Sequence, residues 1–187
     1  MDPMEVVFID MILDDTKDQD HETDFSNKTS SSYIRGYLDH KTGGKAEELY
    51  DRFIGLCEKL SIPEDVRLNW FSRIRDSYST HWRYRLNLYH LYHSLQDLDK
   101  YYDESEYGES YKMLLEVAIW FHRITFVPLD IELSYNVRES YKLAEEFLKH
   151  SDSELITTDK LSFIKSLILS SHRHKQVLQF EDPVEDS

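Results

Sequence analysis

Three apolar stretches of the chain carry histidines at helical spacing. His90 and His93 lie between Leu86 and Leu95, His122 lies between Val117 and Ile124, and His172 and His174 close a run that begins at Ile168. Imidazoles held on separate core helices can converge on one metal ion, because a neutral ring nitrogen is a ligand for Zn²⁺ and related cations. A set of His90, His122 and either His174 or His93 would leave an open position for water, the arrangement of a catalytic zinc site. Arg123 follows His122 directly. It is a permanent cation with no ligand atom, at a place where such a site wants a carboxylate.

Each of these residues also has a purely structural reading. His90 and His122 can be core imidazoles satisfied by backbone or tyrosine hydrogen bonds. His93 sits one helical turn from His90 and faces the rim. His172 and His174 can serve the C-terminal dipole of their helix. Cys57 lies in an aliphatic stripe and reads as a structural buried thiol. Tyr84, Tyr89, Tyr92, Tyr101 and Tyr102 read as packing residues with polar tips.

The elements that must position these side chains are helical. Gly and Pro number only five and four in 187 residues, and no strand-like alternation or internal repeat is present. Leu49, Phe53, Leu56, Cys57 and Leu60 form one helical stripe. Ser61 and Glu64 are spaced to cap a second helix running to about Tyr78, with Leu68, Phe71, Ile74 and Arg75 inside. A third is expected from about Trp82 to Tyr102, followed by a polar loop from Asp103 to Glu109. Ser110 to Thr125 is apolar on nearly every side, the mark of a central buried helix. After a loop from Val127 to Tyr135, Asn136 is expected to cap a helix through Ser140, Leu143, Ala144 and Phe147. Thr157 or Thr158 caps the last, through Leu161, Ile164, Ile168 and Ser171. The expected fold is therefore all-α, with a helical domain over 46–180.

Residues 1–45 read as a disordered, flexible acidic arm, and 181–187 as an acidic tail. The arm carries a net charge of −5 and the tail −4, so the body accounts for only −5 of the total −14. Little of the arm is apolar enough to offset its ordering entropy. Residues 4–13 are the exception and could dock on the body or on a protein partner. The acidic surface disfavours nucleic acid. No apolar run approaches the roughly 18 residues of a membrane span, and no secretory signal is recognisable. A single cysteine excludes an internal disulfide and fits a reducing compartment, the cytoplasm first, with the nucleus left open.

Four segments in register carry a family resemblance. Tyr78-Ser79-Thr80-His81-Trp82-Arg83 leads into Tyr84-Arg85-Leu86-Asn87-Leu88-Tyr89-His90. Ile119-Trp120-Phe121-His122-Arg123 follows, then Asn136-Val137-Arg138-Glu139-Ser140, and last Ile168-Leu169-Ser170-Ser171-His172-Arg173-His174. Over roughly residues 46–174 this resembles the predicted metal-dependent phosphohydrolases of the HD superfamily, whose segments read Arg-x-Tyr-His-Asn-Leu-x-His, Ile-Trp-Phe-His-Asp, Asn-Glu-x-x-Ser and Ile-x-x-Thr-x-x-His. The resemblance implies an HD-like helical bundle. It makes His90 and His122 metal-ligand positions, with His174 as a further candidate.

The departures bear on activity. Leu86 stands where the family has its proton-donating histidine, and Arg123 where it has the aspartate of the His-Asp doublet. The acidic segment beyond the family's last histidine is reduced here to Asp182 and Asp186. Facing a dication a few ångström away, Arg123 would cost several kcal/mol at an effective dielectric of about 20, unless it pointed away or paired with Glu116, Asp130 or Glu132. A divalent metal is therefore doubtful, and without one no activated water forms. The resemblance implies a degenerate, catalytically impaired relative that acts as a ligand- or partner-binding domain. Arg83 and Arg123 would then suit a small phosphorylated or nucleotide-like ligand. The competing expectation is an active phosphohydrolase with a histidine-only, single-metal site. Either way, His90 and His122 should face one another from neighbouring helices on one pocket wall.

Overall fold

The structure, a computed structural model, describes residues 45–80, 83, 86–127, 134–152 and 154–171. His172, His174, the acidic tail, Asp130, Glu132 and residues 1–44 of the expected arm lie outside the described residues. Among the described residues every regular element is a helix: α1 (Ala46–Lys59), α2 (Glu64–Tyr78), α3 (Leu88–Tyr101), α4 (Glu104–Tyr107), α5 (Glu109–Phe121), α6 (Tyr135–Leu148) and α7 (Thr158–Ser170). None of them is long and apolar enough to cross a membrane.

The centre is α5, whose residues Leu114 through Phe121 are all buried. A helix apolar on every side must be surrounded, and α7, α3, α6, α1 and α4 all pack on it. Aromatic side chains tie four helices together at one end. Phe121 meets Phe147 of α6 at a ring separation of 5.1 Å and Trp70 of α2 at 5.9 Å, while Phe53 of α1 meets Trp120 at 5.2 Å.

The expected stripe of α1 is the observed one, with Leu49, Phe53, Leu56 and Cys57 buried. Burial pushes the Cys57 thiol up to about 12, so at neutral pH it is a packing residue and no nucleophile. Ser61 does not cap α2. It ends α1 instead, in a left-handed conformation at φ 55°. The Ser61 amide donates to Glu58 O and the Ile62 amide to Cys57 O, the paired bonds of a Schellman turn. Pro63 then opens α2 without a side-chain cap. Within α2, Leu68 points out, 61% exposed, and Arg75 pairs with Asp76 at the surface. Trp70 takes the inner place with Phe71, Ile74 and Tyr78. Two residues advance a helix by about 200°, so a face centred on Trp70 leaves Leu68 outside.

Four boundaries differ from the sequence expectation. Helix α5 stops at Phe121 rather than Thr125, with the Ile124 amide turning back to Phe121 O. Helix α3 begins at Leu88, six residues after Trp82, because Asn87 is extended and its side chain accepts from the amides of Tyr89 and His90. The 103–109 stretch holds the short α4, capped by Asp103. Asn136 is not the cap of α6: that position is Ser134, which makes no side-chain cap bond. Thr157 caps α7 through Lys160 N, as expected.

Candidate functional site

His90 lies in the first turn of α3, and His122 is the residue that closes α5. Their ring centroids stand 6.1 Å apart with the planes inclined at 57°. His122 is fully buried and His90 nearly so. Helix α3 brings His90 here because the Asn87 cap sets where the helix starts. His122 is directed inward by the same apolar repeat that buries Ala118 and Phe121. The two imidazoles therefore meet inside the packed body.

The His122 ring is oriented. Its Nδ1 lies 2.8 Å from Ile119 O. A carbonyl only accepts, so in the neutral ring Nδ1 carries the hydrogen and Nε2 keeps the lone pair. Burial first, then the Arg123 cation and His90, hold its pKa well below 6.5. Because the folded value is depressed, the unfolded chain takes up this proton first as pH falls. His122 therefore contributes stability above about pH 6.5 that is lost on acidification below it, by about 1.4 kcal/mol per pH unit until the folded value is reached. Urea melts at a series of pH values should show that slope. The slope should flatten in His122→Asn, whose amide can still donate to Ile119 O.

The Arg123 guanidinium, whose charge lowers the His122 pKa, is engaged at a helix end. Its Nη2 donates to Ser171 O at 3.0 Å, the carbonyl at the C-terminal end of α7. A cation there opposes the partial negative charge of the helix end. The pairing with Glu116 does not occur: Glu116 joins Arg52 of α1 at 2.7 Å, and Arg52 also holds Asp99 of α3. This network is the cluster that reading the sequence missed. Its signal in the sequence was one charge set in each of three helical segments.

Arg83 is 3% exposed and faces main-chain oxygens. Nη1 donates to Arg123 O at 2.6 Å and to Leu86 O at 3.3 Å, and Nη2 to Ile124 O at 2.7 Å. The guanidinium stacks on Tyr78 and Phe126, 4.9 and 5.3 Å from their ring centres. The hydroxyls of Ser77 and Tyr78 reach Ile124 O and Trp120 O. Ser140 accepts from the Thr125 amide, and the Asn136 amide group pairs with both main-chain groups of Val127. The shared role of Arg83, Asn136 and Ser140 is to hold the turn that follows His122.

His93 packs edgewise between Tyr89 and Tyr92, at ring separations of 4.2 and 5.5 Å. Among the described residues no group of three His, Cys, Asp or Glu side chains is placed to hold a metal ion. Two imidazoles on one tetrahedral ion would have ring centres roughly 5 Å apart, given metal–nitrogen bonds of about 2 Å. The observed pair is about 1 Å wider, and among the described residues no carboxylate completes a metal-binding group with it. The described donors alone do not fit the metal that the resemblance implies. No protein-family model, curated protein or solved structure matches the chain.

Proposed function

We propose that this chain is a degenerate relative of the HD-superfamily phosphohydrolases, catalytically impaired, which works as a ligand- or partner-binding domain. One observation carries the reading. Beside the facing pair of His90 and His122, the residue at the doublet position is Arg123, and its guanidinium binds the end of α7. The position that would supply oxygen to a hard cation supplies positive charge and a helix cross-link. Leu86, at the proton-donor position, cannot transfer a proton. A phosphorylated or nucleotide-like ligand at this place would compete with Ser171 O for Arg123. A protein partner would engage residues 4–13.

The orientation of His122 favours a second reading. Imidazoles that bind metal commonly donate their other ring nitrogen to a carbonyl, as Nδ1 does to Ile119 O. An active histidine-only site would add His174 to His90 and His122.

Calorimetric titration with Mn²⁺ and Zn²⁺, alongside phosphate release from a nucleotide panel, separates the two. Weak metal binding and no turnover are expected of the wild type. Arg123→Asp should raise metal affinity, since it removes a repelling charge and adds an oxygen donor. Full turnover should not follow, because general acid assistance worth roughly 10²–10⁴-fold is still absent at Leu86. Robust metal-dependent turnover by the wild type, abolished in His122→Ala, would overturn the first reading and establish the second.

A further inference from the structure

At the other ends of α3 and α5 lies a groove of about 260 Å³ between α1, α3 and α5. Asp99 is nine residues beyond His90, which places it roughly 13 Å along α3 from the histidine pair. The groove is a different place from the candidate site. Its floor is Leu56 and Met113, and charged side chains line its walls.

Two observations point to an occupant. The first is Gly55, in the middle of α1 and on the groove wall. Glycine inside a helix is destabilising relative to alanine. Such a glycine is usually required by close packing or by a left-handed backbone. Neither applies: a Cβ built at Gly55 meets nothing within 4 Å, and no positive φ is recorded there. What the missing side chain provides is room. The second observation is the charge pattern. Three cations and three carboxylates alternate across the three helices. Arg52 binds Glu116 at 2.7 Å and Asp99 at 2.6 Å, Lys112 binds Asp99 at 3.0 Å, and Lys59 binds Glu109 at 2.8 Å. The Arg52–Glu116 pair is largely buried, with 19% and 12% of the side chains exposed. The Lys59–Glu109 pair at the mouth is mostly exposed. Exposed pairs of this kind contribute little and open readily.

We propose that this groove binds a small zwitterion of free amino-acid size, with its apolar body over Leu56 and Met113. At the mouth, an anion alone would have to displace Glu109 from Lys59 and leave that carboxylate unpaired. A cation alone would strand a lysine in the same way. A zwitterion exchanges one exposed pair for two, its carboxylate taking Lys59 and its ammonium taking Glu109. The volume is below the roughly 300–1,000 Å³ of sites for drug-sized ligands, which limits the occupant to something small.

The experiment uses the full chain, with a panel of free amino acids followed by calorimetry and by amide NMR. Leucine, 3-methylbutylamine and 4-methylpentanoate form a matched set that removes one charge at a time. At least one amino acid should bind saturably at millimolar concentration or tighter. Its singly charged analogues should bind about tenfold more weakly, the loss of one charge-assisted contact. Gly55→Leu should abolish binding and raise Tm, because it fills open space and improves the helix. Gly55→Ala should raise Tm and leave binding within about twofold. The proposal is overturned if no amino acid binds, if an analogue binds equally well, or if Gly55→Leu binds as the wild type does.

Discussion

Replacing Phe121 with alanine is expected to destabilise the protein by about 3–5 kcal/mol, the usual cost of truncating a fully buried aromatic side chain. The ring is 0% exposed and touches Trp70 of α2 and Phe147 of α6. Its removal opens a cavity where three helices meet, and the rigid indole of Trp70 cannot collapse into it. Urea unfolding gives the value. Tyr101→Ala is the control: that side chain is 53% exposed, so its loss should stay within about 0.5 kcal/mol. Equal costs for the two variants would show that the α2–α5–α6 junction is not the centre of the core.

The second large effect is expected at Arg83. In Arg83→Met the stem still fills space against Tyr78 and Phe126, but the carbonyls of Leu86, Arg123 and Ile124 lose a charged donor. Each buried acceptor left unmade costs about 1–3 kcal/mol, and water recovers part of it. The net loss should be about 2–4 kcal/mol. Arg83→Lys should recover less than half, because a single ammonium cannot span the separate carbonyls that the planar fork reaches. The imidazole resonances of His90 and His122 should shift in both variants, since the turn after His122 is what the guanidinium holds. A loss below about 0.5 kcal/mol in Arg83→Met, with unchanged histidine resonances, would remove Arg83 from its assigned role as the clamp of the site.

Much of the helical architecture was legible residue by residue. The stripe from Leu49 to Leu60 and the all-round apolar run before Thr125 require a surface helix and a central one, and α1 and α5 are these elements. His90 and His122 were legible as inward positions of two core helices, and their rings meet at 6.1 Å. The boundaries were less legible. Trp82, Tyr84 and Leu86 lead into the apolar run of α3, yet Asn87 was the signal for its start: a strong N-cap residue directly before an apolar repeat. Ser61 carried two local meanings, cap of the next helix or left-handed end of the last one, and the packing of Leu60 and Ile62, both buried, selects the second.

The sequence alone determined the class of fold and most residues of the core, Trp70 and Leu68 excepted, because burial follows a period that side-chain type displays along the chain. The facing of His90 and His122 was an expectation from the family resemblance. Only the tertiary structure decided what the charged and polar residues around them do. Arg123 binds a carbonyl 48 residues away, Arg83 binds two that are 40 and 41 away, and Ser140 meets an amide 15 residues back. Every residue has a carbonyl and nearly every one has an amide. A side chain whose partner is the main chain therefore leaves no mark on the identity of that partner. Glu116 was an apparent partner for Arg123 by charge, but the packing of α1 and α3 against α5 puts it with Arg52 instead. Charge complementarity limits which pairs can form, and the three-dimensional packing of the helices selects among them.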